Sequence, residues 1–254
     1  MTADLAPDPQ FVAARSRVLE RIAAAASRVG RDPAGVRLVA VSKTFGADVV
    51  RAAVAAGLTT LGENRVQEAE AKAPVLPAQV EWHLVGGLQS NKAARAIALF
   101  DVIQSVDTLA LAQRIARLAA GSPVRVLLQV NVDADEAKGG FAPRSVAEAL
   151  PGILALPALR VEGLMTVGRQ VADAEDARPT FVRLRELSER LRARHPGLGP
   201  ELSMGMTDDL EVAVEEGSTI VRVGRALFGS RPMAMTGPMP GAAPDPAPAT
   251  GVVS

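Results

Sequence analysis

The stretch Val36–Lys72, "VRLVAVSKTFGADVVRAAVAAGLTTLGENRVQEAEAK", decides the fold class. It opens on a β-rich apolar run, Val36–Lys43, and passes into "ADVVRAAVAAG", where apolar residues recur at three-to-four spacing. A second β-rich run follows at Thr59–Asn64, and "RVQEAEAK" turns helical again. Strands separated by helices need crossover connections, which make the sheet parallel. The rest of the chain repeats the alternation. Further strands are predicted at Glu81–Gly86, Val102–Asp107, Val124–Asn131, Leu159–Val167, Glu201–Met206 and Thr219–Gly224, and an extra N-terminal helix over Pro9–Val29. Gly57, Gly121 and Gly217 follow helical runs, where left-handed C-terminal caps are expected. Eight such units predict an α/β fold, a single closed (β/α)8 TIM barrel, over an open doubly wound sheet. The barrel domain is expected to span residues 1–231. The Pro/Ala/Gly-rich segment 232–254 lacks periodicity and reads as a disordered, passive tail.

Composition narrows the function classes. Lys plus Arg and Asp plus Glu both number 28, so no overall charge excess favours nucleic acid or an anionic membrane. The absence of Cys excludes disulfides, thiolate nucleophiles and cysteine-ligated metal, and the fold needs no oxidising compartment. The start "MTADLAPDPQ" lacks the basic end and apolar run of a secretory signal, and no stretch of about 18 apolar residues occurs. A soluble, cytoplasmic protein is expected. There is no Tyr and there are only two His, which limits the available bases.

The polar residues converge. On the predicted strands, Lys43, the pair Glu63 and Asn64, Asn131 and the segment Val221–Arg225, "VRVGR", fall at C-terminal strand ends, the mouth that carries the site in barrels of this type. Lys43 has two readings: a strand-end lysine that snorkels to solvent, or a partly desolvated amine whose neutral form is an accessible nucleophile toward an aldehyde. The loops after the seventh and eighth strands, "MGMTDDL" and "VRVGRALFG", are positioned to bind phosphate through backbone N–H groups and the start of a short helix. There Gly224 permits close approach, or marks only a turn. Arg225 opens the helix and Ser203 offers a hydroxyl. First and last strands are neighbours across barrel closure. An aldehyde that also carries a phosphate fits both ends, and pyridoxal 5'-phosphate is such a molecule.

Several segments together resemble a known family: "LVAVSKT", "LGENRVQEAEAK", "WHLVGGLQSNK", "IQSVDTLALAQRI", "LLQVNVDADEAKGGF", "VEGLMTVG" and "LSMGMTDDLEVAVEEGSTIVRVGRALFG". They resemble the pyridoxal phosphate homeostasis proteins, also called the alanine racemase N-terminal-domain-like or proline synthase co-transcribed family, from about Phe11 to Pro232. The resemblance implies a barrel similar to the alanine racemase N-terminal domain, with the vitamin B6 cofactor held as a Schiff base on Lys43. It implies an amide beside the cofactor at Asn64, phosphate contacts at Ser203 and Gly224, and Arg222 near the pyridine ring. An arginine near the ring nitrogen disfavours its protonation and so weakens the electron sink used in carbanion chemistry. Three positions depart from the family pattern. Arg225 stands where Thr or Ser is usual, which exchanges a hydroxyl for a guanidinium beside the phosphate; Thr207 replaces a common Ser; Gly46 replaces a common proline and bears on loop rigidity.

Two function classes follow, with a regulatory adaptor on "EDARPTFVRLRELSERLRARH" a weaker third. A carrier needs only Lys43, the phosphate cradle and an open mouth: it captures free pyridoxal phosphate and releases it to apo-enzymes that depend on the cofactor, and a monomer suffices. An amino-acid racemase of the related fold needs a second base, a Tyr that this chain lacks; His83 is the substitute, although a His inside a strand beside Trp82 reads better as a packed residue. The carrier reading assigns no catalytic residues. His195 reads as a helix-terminal side chain. Glu63, Glu68 and Glu70 read as a helix start and exposed face in preference to metal ligands. Ser90 reads as a helix N-cap or mouth-loop residue, and "DADEAKGGF" as a candidate lid in which Lys138 is either a solvated lysine or a transient acceptor.

Overall fold

A computed structural model describes residues 7–169 and 171–229. The segment 232–254 lies outside the described residues. Eight strands, β1 (Arg37–Val41), β2 (Thr60–Glu63), β3 (Glu81–Leu84), β4 (Val102–Val106), β5 (Val124–Gln129), β6 (Leu159–Met165), β7 (Glu201–Ser203) and β8 (Ile220–Val223), form a closed barrel in sequence order. Every neighbouring pair is parallel, and β1 closes on β8 with Val39 opposite Arg222 and Ala40 opposite Val223. The strand–helix alternation is thus realised as a (β/α)8 barrel.

Helices α2 (Ala47–Ala55), α3 (Val66–Lys72), α4 (Ala93–Leu99), α5 (Leu109–Leu118), α6 (Pro143–Leu154), α7 (Arg178–Arg194), α8 (Leu210–Glu215) and α9 (Arg225–Phe228) follow the strands. The additional α1 (Pro9–Arg28) starts where Asp8 accepts from the Gln10 N–H and Pro9 presets the first turn. It buries Phe11, Ala14, Val18, Ile22 and Ala25, a stripe at three-to-four spacing, and packs on α8 and α9. Arg21 on α1 bridges to Glu211 at 2.6 Å and donates to the Thr207 carbonyl at 2.8 Å, so this helix braces the loop after β7.

The main core lies between strands and helices, while Val39, Leu127, Met165 and Ile220 form a separate apolar cluster inside the barrel. The predicted strands run one to three residues too long at the mouth. Hydrophobicity does not stop where the ladder stops: Val85 and Val167, already in loops, still pack against the inner cluster. Consequently Lys43 lies two residues beyond β1, Asn64 one beyond β2, and Gly224 one beyond β8. Gly163 adopts φ +155° at the β5–β6 register shift, and a Cβ there would stand 2.0 Å from the Glu201 carbonyl oxygen, so only glycine fits.

Candidate functional site at the barrel mouth

Lys43 is half-buried, between a buried Ser42 and an exposed Thr44. Among the described residues its amine has no hydrogen-bond or ion-pair partner, in contrast to the backbone on either side of it. Across the closure Gly224 comes close to β1: a Cβ there would stand 3.2 Å from the Val41 carbonyl oxygen. Sequence-distant Gly224 therefore abuts the end of β1, two residues before Lys43. Gly224 is the N-cap of α9, and no acceptor for the N–H groups of Gly224 or Arg225 occurs among the described residues. The Ala226 N–H is within 3.4 Å of Thr207 Oγ1. Arg225 opens α9, and its exposed guanidinium is engaged by Asp208. Phe45 stacks on Phe228 at 5.1 Å, and Phe228 meets Phe11 edge-on at 5.7 Å. The loop that lacks the common proline at Gly46 is anchored by this aromatic contact to α9 and α1.

A polar chain runs from the mouth into the barrel. Arg222 donates to Ser203 Oγ at 2.7 Å and to the Thr166 carbonyl at 2.8 Å. The Ser203 hydroxyl donates to Gln104 Oε1 at 2.6 Å, and Gln104 Nε2 lies 2.6 Å from His83 Nδ1. With Gln104 oriented this way, Nδ1 accepts and the proton sits on Nε2, which stands 3.5 Å from Glu81 Oε1 without a full hydrogen bond. All four side chains, Arg222, Ser203, Gln104 and His83, are buried. His83 and Arg125 beside Glu81 hold that carboxyl down at about 2. Burial pushes the Arg222 guanidinium down to about 10, opposed by the charge of Asp209, so the cation persists at neutral pH. Ser203 was expected to offer its hydroxyl to phosphate; here that hydroxyl is committed to Gln104 and Arg222, while its position next to Arg222 stands.

A second buried group sits behind Lys43. Lys72, on the Val66–Ala69–Lys72 buried stripe of α3, places Nζ 2.5 Å from Glu63 Oε1 and 2.8 Å from the Ser42 carbonyl. Ser42 Oγ donates to the same Glu63 oxygen at 2.6 Å, and among the described residues Glu63 Oε2 has no hydrogen-bond partner. Burial pushes the Glu63 carboxyl up to about 7, against the opposing pull of Lys72 and Ser42. The expected exposed glutamate face is thus corrected at Glu63, which is fully enclosed, and Lys72 was missed altogether. The signal for Lys72 was its register: it continues the buried positions 66 and 69 at helical spacing. Gln104, also missed, was visible as the long polar side chain in the strand "VIQSV", which is buried throughout.

Other residues take quieter places. His195 caps the C-terminus of α7. Ser90 begins a 3-10 turn capped by Gln89, so it is not the N-cap. Asn131 orders the loop after β5 through the carbonyls of Asp135 and Lys138, and Lys138 Nζ binds the Gly168 carbonyl at 2.7 Å and Asp135 at 3.2 Å. That loop is clasped to the loop after β6, and its lysine is engaged. Two clefts open on the rim formed by the loops after β1, β2 and β3, of about 820 and about 270 Å³. The larger reaches Thr44, Phe45 and Lys72; the smaller reaches Asn64, Gly86 and Lys92. The backbone of Asn64 is wedged against Gly86, where a Cβ would stand 2.3 Å from the Asn64 carbonyl oxygen. Asn64 thus lies at the mouth end of β2, with β1 between it and Gly224.

Known proteins carry the same architecture. The family model described as the alanine racemase N-terminal domain matches residues 15–232. The pyridoxal phosphate homeostasis protein of Aquifex aeolicus is 43% identical over 219 residues, covering 85% of this chain and 96% of the relative. That of Pseudomonas aeruginosa is 45% identical over 219 residues, covering 85% and 94%. A solved structure of PipY from Synechococcus elongatus, with pyridoxal phosphate bound, is 41% identical with a TM-score of 0.75 and covers 84% of this chain and 100% of its own. Fold and mouth define a barrel of the alanine racemase N-terminal kind. The chain belongs to the alanine racemase N-terminal domain family and, within it, to the pyridoxal phosphate homeostasis proteins.

Proposed function

We propose that this protein is a carrier of pyridoxal 5'-phosphate, which holds the cofactor as a Schiff base on Lys43 and exchanges it with apo-enzymes, as a cytoplasmic monomer without catalytic turnover. The observation that carries the reading is the Lys43 amine, without a partner among the described residues and two residues beyond the end of β1 that Gly224 abuts across the closure. The residues fit the group. The Gly224 and Arg225 N–H groups, open at the start of α9, suit a phosphate, and the buried Arg222 suits the pyridine edge. The cofactor supplies an aldehyde that condenses reversibly with an amine.

The protein's part is geometric and electrostatic. Lys43 Nζ would be the amine that holds the cofactor, and it would return as a free lysine when an amine of an apo-enzyme takes the cofactor over. Asn64 would sit beside the ring, and the backbone N–H groups of Gly224 and Arg225 would hold the phosphate on the side of Ser203. Arg222, locked by Ser203 and the Thr166 carbonyl, would hold its cation near the pyridine nitrogen and disfavour protonation there, which would weaken carbanion chemistry. A racemase needs a second base at this mouth. The chain has no Tyr, and His83 is fully buried and engaged by Gln104, which supports the carrier reading over the enzyme. No helix among the described residues is long and apolar enough to cross a membrane.

The test is a titration of the full chain with pyridoxal phosphate, followed by alanine racemisation and by activation of an apo-enzyme. Stoichiometric binding, negligible racemisation and recovery of apo-enzyme activity are expected. Sustained turnover of alanine would replace the carrier with a racemase.

A further inference from the structure

The residues on both sides of Lys43 are held by one helix and one strand end. Ser42 has each of its polar atoms bound: its N–H donates to the Gly62 carbonyl at 3.0 Å, its hydroxyl to Glu63, and its carbonyl accepts from Lys72. Thr44, on the other side, sits at φ +70°, an outlier for a β-branched residue. Its N–H donates to Glu68 Oε2 at 3.2 Å. Glu68 and Lys72 are one helical turn apart on α3, so a single rigid face reaches both neighbours of Lys43. Strained backbone persists only where its surroundings over-determine it, and such strain gathers at functional positions.

We infer that Glu68 and Lys72 of α3, with Glu63 at the end of β2, are positioning residues that fix the backbone from which Lys43 projects and so aim its amine at the incoming aldehyde. Lys72 holds Ser42 from below, Glu63 accepts from both Lys72 and the Ser42 hydroxyl, and Glu68 pins the strained Thr44. None of the three needs to touch the cofactor. Misplacement of a reacting group by about 1 Å can cost on the order of 100-fold, so loosening either neighbour is expected to weaken capture without changing which lysine reacts.

The inference rests on the carrier reading, and one experiment separates the two. Full-length wild type, Glu68→Ala, Glu68→Gln and Lys72→Met are each titrated with pyridoxal phosphate, fixed with borohydride and mapped by peptide mass, with urea midpoints measured in parallel. Phe181→Leu, in the core of α7, serves as a control for general destabilisation. Glu68→Ala and Lys72→Met are expected to keep the adduct on Lys43 while affinity and capture rate fall about ten- to 100-fold. Glu68→Gln, which retains an acceptor for the Thr44 N–H, is expected to recover most of the loss. Wild-type affinity in Glu68→Ala overturns the inference, as does an equal loss in Phe181→Leu; if Lys72→Met does not fold, the Glu68 pair decides alone. No adduct on Lys43 in the wild type removes the carrier reading, and the positioning role with it.

Discussion

Replacing Glu63 by Gln should change how stability depends on pH, because the carboxyl is enclosed at the end of β2 with one oxygen bound and the other unpartnered. Its value is raised from an ordinary 4.5 to about 7, chiefly by desolvation, with Lys72 and Ser42 pulling the other way. At about 1.4 kcal/mol per tenfold, the folded state disfavours the carboxylate by roughly 3 kcal/mol. Since the folded value lies above the unfolded one, the folded chain binds the extra proton between the two. The stabilisation is therefore full below pH 4.5 and is lost as pH rises through 7. Gln cannot titrate and keeps an acceptor for Lys72. Urea unfolding of both proteins at a series of pH values between about 4 and 8 isolates the effect, because the other titrations cancel in the difference. The wild type should lose about 3 kcal/mol relative to Glu63→Gln across that range. Parallel stability curves would refute the enclosed, destabilised carboxylate.

Other substitutions probe separate parts of the structure. Gln104→Leu strips His83 Nδ1 of its donor and the Ser203 hydroxyl of its acceptor, and should cost about 2–5 kcal/mol in urea unfolding. Gly163→Ala cannot be accommodated beside the Glu201 carbonyl at φ +155° and should cost on the order of 3 kcal/mol or more, read as a drop in the thermal midpoint. Thr44→Gly should leave the urea midpoint nearly unchanged, relief of strain offsetting added chain entropy, yet slow capture by Lys43. Arg225→Ala removes only an exposed pair with Asp208; affinity for pyridoxal phosphate should stay within about fivefold, as measured by titration.

The strands were legible because parallel strands buried on both faces read as short, nearly continuous apolar runs, and the helices between them kept their three-to-four spacing. Their mouth ends were not, since Val85 and Val167 remain apolar for packing inside the barrel after leaving the ladder. Lys43 and Gly224 could be placed on adjacent strands from topology alone, because closure makes the first and last strands neighbours. What a one-dimensional reading could not supply was partnership across it. Lys72 looks like one more charge in "EAEAK" until the barrel carries it under Ser42, and Glu63 looks like a helix-start acid until that lysine arrives. The commitment of Ser203 to Gln104, 99 residues earlier in the chain, likewise exists only in the folded barrel.

The most direct measurement is peptide mass mapping of the full-length chain after incubation with pyridoxal phosphate and borohydride, beside Lys43→Ala treated identically. A single stoichiometric adduct on Lys43, absent from the variant, is the predicted result. An adduct spread over surface lysines, or one that persists unchanged in Lys43→Ala, would contradict the central claim that this lysine is the cofactor's seat.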